Sequence, residues 1–179
     1  MKGIVFTEFL DLVEEKFGLE MVDKIISQSE LASEGVYTSI GTYSFSEMLQ
    51  LVTNLSGNTG ISTDDLLLVY AEHFFSVIKT SYPGLLETYK DPIEMLASIE
   101  NHIHVEVQKI YPDAELPTFV VEEKTDNSII MLYKSSRAMH HFGLGLMNKT
   151  FEHFNAKASI VLEKIKEDGT EVRFIVHKI

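Results

Sequence analysis

Histidine is the side chain best suited to hold a metal in this sequence, because the chain has seven histidines and no cysteine. Two of them, His102 and His104, are separated by a single residue. On a strand their side chains would share a face and could chelate one metal, whereas on a helix they would point about 200° apart. The element that carries the pair therefore decides whether it can chelate.

The surrounding sequence predicts a helix over this pair. Pro92 stands where a first-turn proline belongs, and apolar residues follow it at helical spacing: Leu96, Ile99, Ile103, Val107 and Ile110. On that helix His104 lies at the flank of the apolar stripe and His102 lies nearly opposite it. We therefore expect His104 to face an interior pocket as a single metal ligand and His102 to be solvated. The pattern leaves one alternative open, in which His104 is an interior histidine with only a hydrogen bond.

A second polar group, Tyr133, Ser135 and Arg137, follows further along the chain. If a strand runs through all three residues, their side chains share one face, spaced about 6.6 Å apart. Two hydroxyls and a guanidinium donate well to anionic oxygens, and arginine can bind a carboxylate with two hydrogen bonds. Alternatively, a serine here only caps the next helix and Arg137 is solvated. With an interior histidine before it, the group suits a heme pocket, which needs one axial ligand and donors for the propionates.

The periodicity of the sequence predicts the elements that position these groups. Helical patterns run from the start to about Tyr111, and a further helix is expected over roughly 138–154. Four short segments read as strands: TFVVEE, SIIMLY, ASIVLEKI and EVRFIVHKI. We therefore expect an α+β fold, with a helical N-terminal subdomain over about 1–60 and a four-stranded antiparallel sheet plus helices over about 61–179, in a single domain. His140 and His141 are adjacent in the later helix and are expected at the surface.

The composition excludes several classes of function. A net charge of −12 argues against a nucleic-acid surface or a polybasic membrane patch, and the lack of cysteine excludes disulfides, thiol catalysis and iron–sulfur clusters. Acidic residues interrupt the start of the chain, and no segment reaches the roughly 18 apolar residues of a membrane span. No nucleophile elbow, HExxH motif or phosphate-binding loop is present. We expect a cytoplasmic protein that is not an enzyme.

Three segments, in order and spacing, resemble the heme nitric oxide/oxygen-binding (H-NOX) family, which includes the heme domain of soluble guanylate cyclase. They are MKGIVF, HVEVQKIYPDAELPTF and YKSSR. The resemblance implies a heme b (iron protoporphyrin IX) between the two subdomains, with His104 as the proximal iron ligand. It also implies Tyr133, Ser135 and Arg137 as ligands of the heme propionates and Pro117 as the residue that distorts the heme. The Cys/His zinc site of some members cannot form here, because the chain lacks cysteine.

The resemblance also predicts which gas the heme binds. Oxygen-binding members have a tyrosine five residues after the motif arginine, where this chain has Phe142. Phe74 and Phe9 occupy the positions of a polar partner and a tryptophan in those members. The distal wall that the resemblance implies is completed by Leu146, Val5 and Ile78. Bound oxygen needs a hydrogen-bond donor to persist, whereas nitric oxide binds tightly through the iron alone, so nitric oxide (and also CO) is the expected ligand.

These features predict a stand-alone bacterial nitric oxide sensor. We expect nitric oxide to weaken the bond between iron and His104, freeing the proximal helix and letting the heme relax against Pro117. The chain ends at Ile179 without an effector domain, so the resemblance implies a separate partner, either a sensor histidine kinase or a cyclic-di-GMP synthase or phosphodiesterase. Two alternatives stay open: an oxygen-binding heme protein whose donor is another tyrosine, such as Tyr70, and a heme-free interaction module.

Overall fold

The chain forms eight α-helices and four β-strands in the computed structural model, which describes residues 1–179. The helices are α1 (Gly3–Phe17), α2 (Leu19–Ser27), α3 (Phe45–Thr59), α4 (Thr63–Ser81), α5 (Pro83–Glu87), α6 (Pro92–Ala97), α7 (His104–Ile110) and α8 (His140–His153). The strands are β1 (Thr118–Lys124), β2 (Ser128–Lys134), β3 (Ala158–Lys164) and β4 (Glu171–Lys178). None of the helices combines the length and the apolar character that a membrane crossing requires.

The chain divides into two compact units, Met1–Tyr70 and Ala71–Ile179, and the boundary falls inside α4. In the first unit, α1 buries one apolar face, whose residues are Phe6, Phe9, Leu12 and Val13. Gly18 ends α1 at φ 84°, a backbone conformation that favours glycine, so the chain turns directly into α2. Ser44 begins α3 by accepting a hydrogen bond from the backbone N–H of Ser46 at 3.2 Å.

The second unit is built on one antiparallel sheet with the strand order β1-β2-β4-β3. Alternate residues of the two central strands, β2 and β4, are buried on the same face: Ile129, Met131, Tyr133, Val172, Phe174 and Val176. Met147 and Phe151 of α8 join the same core cluster. The predicted α+β fold with a four-stranded antiparallel sheet is confirmed. The four segments that the sequence predicted as strands correspond to β1, β2, β3 and β4.

The segment predicted as one helix from Pro92 is divided in the structure. Asp91 starts α6 by accepting hydrogen bonds from the N–H groups of Ile93 and Glu94 at 2.8 and 3.3 Å, with Pro92 in the first turn. A π-helical turn, Ile99–Ile103, then separates α6 from α7. Because a π turn is wider than an α turn, the face that each later residue occupies is shifted from the position given by a regular α-helix.

Candidate functional site

His104 is the first residue of α7, directly after the π turn. Its side chain is 15% exposed, and its Nδ1 lies 3.1 Å from Oε1 of Glu100. Burial lowers the pKa of His104 below its usual range, while the charge and hydrogen bond of Glu100 act in the opposite direction. The orientation toward Glu100 leaves Nε2 as the nitrogen that can bind a metal. The structure thus gives His104 the largely interior setting expected of an axial ligand.

His102 is half-buried and hydrogen-bonded within the protein, contrary to the expectation of a solvated side chain. Its Nδ1 is hydrogen-bonded to the Tyr89 hydroxyl, and Oγ of Ser98 lies 2.5 Å from the same hydroxyl. Tyr89 lies between α5 and α6, a segment that a helical wheel of His102's own helix does not include. The histidine pair is therefore not a chelate: His104 faces Glu100 and His102 faces Tyr89.

The anion-binding group forms at the end of a strand rather than along it. β2 ends at Lys134, so the strand does not run through Ser135 and Arg137. The loop nevertheless returns Ser135 to the Tyr133 hydroxyl. Burial raises the pKa of Tyr133, whereas hydrogen bonds with the Ser135 side chain and the Met139 backbone, together with the charge of Arg137, lower it. The two hydroxyls therefore lie together, and the positive charge of Arg137 acts on the Tyr133 hydroxyl.

Arg137 is held in place and largely shielded from solvent. Its side chain is 16% exposed, and its two terminal nitrogens donate to the backbone carbonyl of Glu115 at 2.8 Å and to the Glu115 carboxylate at 2.7 Å. Ser135 accepts a hydrogen bond from the Arg137 backbone N–H at 3.2 Å and does not cap α8, whose N-cap is Met139. The alternative of a helix-capping serine beside a solvated arginine is therefore not what the structure shows.

Phe119 links the histidine to the anion-binding group, and the sequence reasoning did not identify it. Its buried ring lies 6.2 Å from the His104 ring and 5.4 Å from the Tyr133 ring, measured between centroids. Pro117, the expected heme-distorting residue, is half-buried and stands directly before β1, two residues from Phe119. Glu100 was missed as well, although its spacing of four residues before His104 on a helix was a usable signal.

The expected distal residues divide between the two units. In the second unit, the rings of Phe74 and Phe142 lie 5.7 Å apart, and Ile78 and Leu146 pack against one apolar cluster. The others, Val5 and Phe9, lie on α1 in the first unit. Within that unit, the fully buried Tyr70 packs its ring 5.3 Å from that of Phe9 and donates its hydroxyl proton to the Val5 carbonyl at 2.5 Å.

Comparison with protein families gives a direct match. The Haem-NO-binding family profile matches residues 2–162. The chain belongs to this heme-binding H-NOX family. Comparison with the curated proteins gives no match.

Solved H-NOX structures agree with the assignment. The Fe(II) unliganded H-NOX protein from K. algicida is 84% identical, with a TM-score of 0.99 over 100% of this chain and 97% of that one. The IWP-051-bound H-NOX from Shewanella woodyi in the Fe(II)CO state is 35% identical, with a TM-score of 0.83 over 99% and 94%. An H-NOX protein from S. oneidensis in the Fe(II)NO state is 22% identical and shares the fold, with a TM-score of 0.90 over 100% and 99%.

The donor set of this H-NOX chain fits a heme. No group of three or more His, Cys, Asp or Glu side chains is placed to hold a metal ion. A porphyrin supplies the equatorial nitrogens itself and needs one axial ligand, which Nε2 of His104 can provide. Its two carboxylates need donors of the kind that Tyr133, Ser135 and Arg137 bring together.

Proposed function

We propose that this H-NOX protein is a heme-based nitric oxide sensor of a bacterium that binds nitric oxide and excludes oxygen. The observation that carries this proposal is the paired rings of Phe74 and Phe142, 5.7 Å apart, at positions where oxygen-binding relatives have polar side chains. A phenylalanine has no proton to donate to bound oxygen. The tyrosine named as an alternative donor, Tyr70, already donates its proton to the Val5 carbonyl.

His104, Tyr133, Ser135 and Arg137 hold the cofactor in this proposal. Ferrous heme b, when bound, would supply an iron that binds nitric oxide or CO. Nε2 of His104 would hold that iron, and binding of nitric oxide would weaken this bond. The hydroxyls of Tyr133 and Ser135 and the Arg137 guanidinium bind the propionates and fix the orientation of the porphyrin.

Release of His104 is the proposed signal. The histidine begins α7, so its release would remove the restraint on that helix, and Pro117, directly before β1, is the residue against which a bound porphyrin would relax. The two conformations would differ in the contacts that they offer to a partner, as a two-state switch requires. A net charge of −12 suits a basic surface on a sensor histidine kinase or on a cyclic-di-GMP synthase or phosphodiesterase.

The test is an absorbance spectrum of the reduced protein under argon, then in air, and then with nitric oxide. We expect a heme band that air leaves unchanged and that nitric oxide shifts to the position of a five-coordinate complex. A stable spectrum of an oxygen complex would contradict the exclusion of oxygen. A colourless protein that cannot be reconstituted with heme would overturn the whole proposal and favour an interaction module.

A matched variant tests the role of His104. His104→Gly removes the axial ligand and leaves a space that free imidazole can fill. We expect the variant to bind heme stably only when imidazole is added, and to resemble the nitric oxide form toward its partner when imidazole is absent. His177→Gly is the control, because His177 is exposed on β4 and its replacement should leave the absorbance spectrum unchanged.

A further inference from the structure

Glu100 makes the closest polar contact to the imidazole of His104. Its Oε1 lies 3.1 Å from Nδ1 of the histidine, and the two side chains are 42% and 15% exposed, respectively. They are four residues apart and face each other across the end of the π turn. π turns often occur at functional sites, where the wider turn changes the direction of the side chains that follow it.

A second contact fixes the position of this carboxylate. The same Oε1 accepts a hydrogen bond from the backbone N–H of Phe119 at 2.7 Å. Phe119 is buried and is the second residue of β1, so the carboxylate joins the π turn to the start of the sheet. Its oxygen is therefore held beside Nδ1 by a group that does not belong to the histidine's own helix.

We propose that Glu100 is a positioning residue that controls how firmly His104 holds the iron; the inference rests on the proposed function. A carboxylate at Nδ1 keeps the proton on that nitrogen, so the lone pair of Nε2 points at the metal. The negative charge also makes Nε2 a stronger donor to iron, as carboxylates hydrogen-bonded to other metal-bound histidines do. Glu100 thereby sets how readily nitric oxide releases His104.

The contact with Phe119 connects Glu100 to the start of β1. Oε1 of Glu100 contacts both Nδ1 of His104 and the backbone N–H of Phe119. A shift of the imidazole therefore changes the restraint on the first residues of β1. Pro117 lies just before that strand. Glu100 therefore connects the state of His104 to the segment proposed to distort the porphyrin.

The test compares Glu100→Gln and Glu100→Leu with wild type and with Glu106→Gln. Glutamine keeps an oxygen that can accept from Phe119 but removes the charge, whereas leucine removes both. Glu106 is the matched control, because its carboxylate lies close in sequence but pairs with Lys109 at 2.6 Å. The iron–histidine stretching frequency of the ferrous, unliganded protein is measured by resonance Raman spectroscopy. NMR of the diamagnetic CO complex reports the His104 Nδ1 proton and its exchange with solvent.

We expect the stretching frequency to fall from wild type to Glu100→Gln and again to Glu100→Leu, and to stay unchanged in Glu106→Gln. Exchange of the Nδ1 proton should accelerate in the same order, and Glu100→Leu should lose heme about 10-fold faster than wild type. A wild-type frequency in Glu100→Gln would overturn the inference, because only the charge has been removed. A wild-type protein with no iron–histidine band would contradict the proposed function instead.

Discussion

The hydroxyl of Tyr89 is hydrogen-bonded to Nδ1 of His102, two residues before the proposed iron ligand. The contact ties the segment between α5 and α6 to the π turn. At the far end of α7, the hydroxyls of Tyr111 and Tyr82 lie 3.2 Å apart. Residues 102–111 are therefore hydrogen-bonded at both ends to residues outside this segment. Any movement of the segment after release of His104 must either preserve these contacts or break them.

Tyr89→Phe should loosen the segment around His104. The substitution removes the hydroxyl to which both Ser98 and His102 are hydrogen-bonded. Because these two partly buried groups lose that partner, the folded state should be destabilised by about 1 kcal/mol. We expect faster amide hydrogen exchange over residues 99–110, measured by mass spectrometry, and a slightly lower free energy of unfolding. Tyr82→Phe, at the other end of α7, is the control and should leave exchange over residues 99–103 unchanged. Unchanged exchange over residues 99–103 in Tyr89→Phe would show that the hydroxyl does not restrain the π turn.

Arg137→Lys should weaken heme retention even though it keeps the positive charge. The guanidinium is held by two contacts with Glu115 and can present parallel donors to a carboxylate, which an ammonium cannot do. We expect heme transfer to apomyoglobin to be about 10-fold faster than from wild type.

Arg173→Lys provides the control for that experiment. Arg173 is the only other arginine in the chain, and it lies in ion pairs with Glu122 and Glu163 at 2.6 and 2.7 Å. Its replacement should leave heme transfer at the wild-type rate. Equal rates for Arg137→Lys and Arg173→Lys would contradict a role for Arg137 at the propionates.

The sheet was predictable from sequence because alternation reports directly on burial. Val172, Phe174 and Val176 point to the core and their neighbours point away, as period 2 requires. The proline before α6 was equally informative, since its fixed φ and missing N–H suit a first helical turn.

The details of the site were less predictable, because they depend on contacts between separate segments. A helical wheel assumes regular α geometry, so it could not show the π turn or the contact of His102 with Tyr89. His140, expected at the surface, is buried, and its ring lies 6.5 Å from that of Tyr133. Loop backbone, rather than strand alternation, brings Ser135 to the Tyr133 hydroxyl.

Phe142→Tyr should increase the affinity for oxygen. The new hydroxyl would place a hydrogen-bond donor next to the apolar ring of Phe74. One such bond to a polarised acceptor contributes about 1.5 kcal/mol, which corresponds to about a tenfold gain in affinity. Absorbance titration with oxygen measures the change, and Phe142→Leu should show none. If the tyrosine variant also leaves the affinity unchanged, Phe142 does not face the bound gas.

The ion pair between Asp91 and Lys178 should make stability depend on pH. Burial raises the pKa of Asp91, but hydrogen bonds from Lys178 and from the backbone of Ile93 and Glu94 outweigh it and leave the pKa below its usual 3.8. An aspartate with a depressed folded pKa contributes stability above its unfolded pKa, and loses it as pH falls through the folded value. Lys178→Met should therefore lower the free energy of unfolding by about 0.5 kcal/mol at neutral pH. In urea titrations this difference should shrink below about pH 4; a constant difference would assign the effect to packing of the lysine stem.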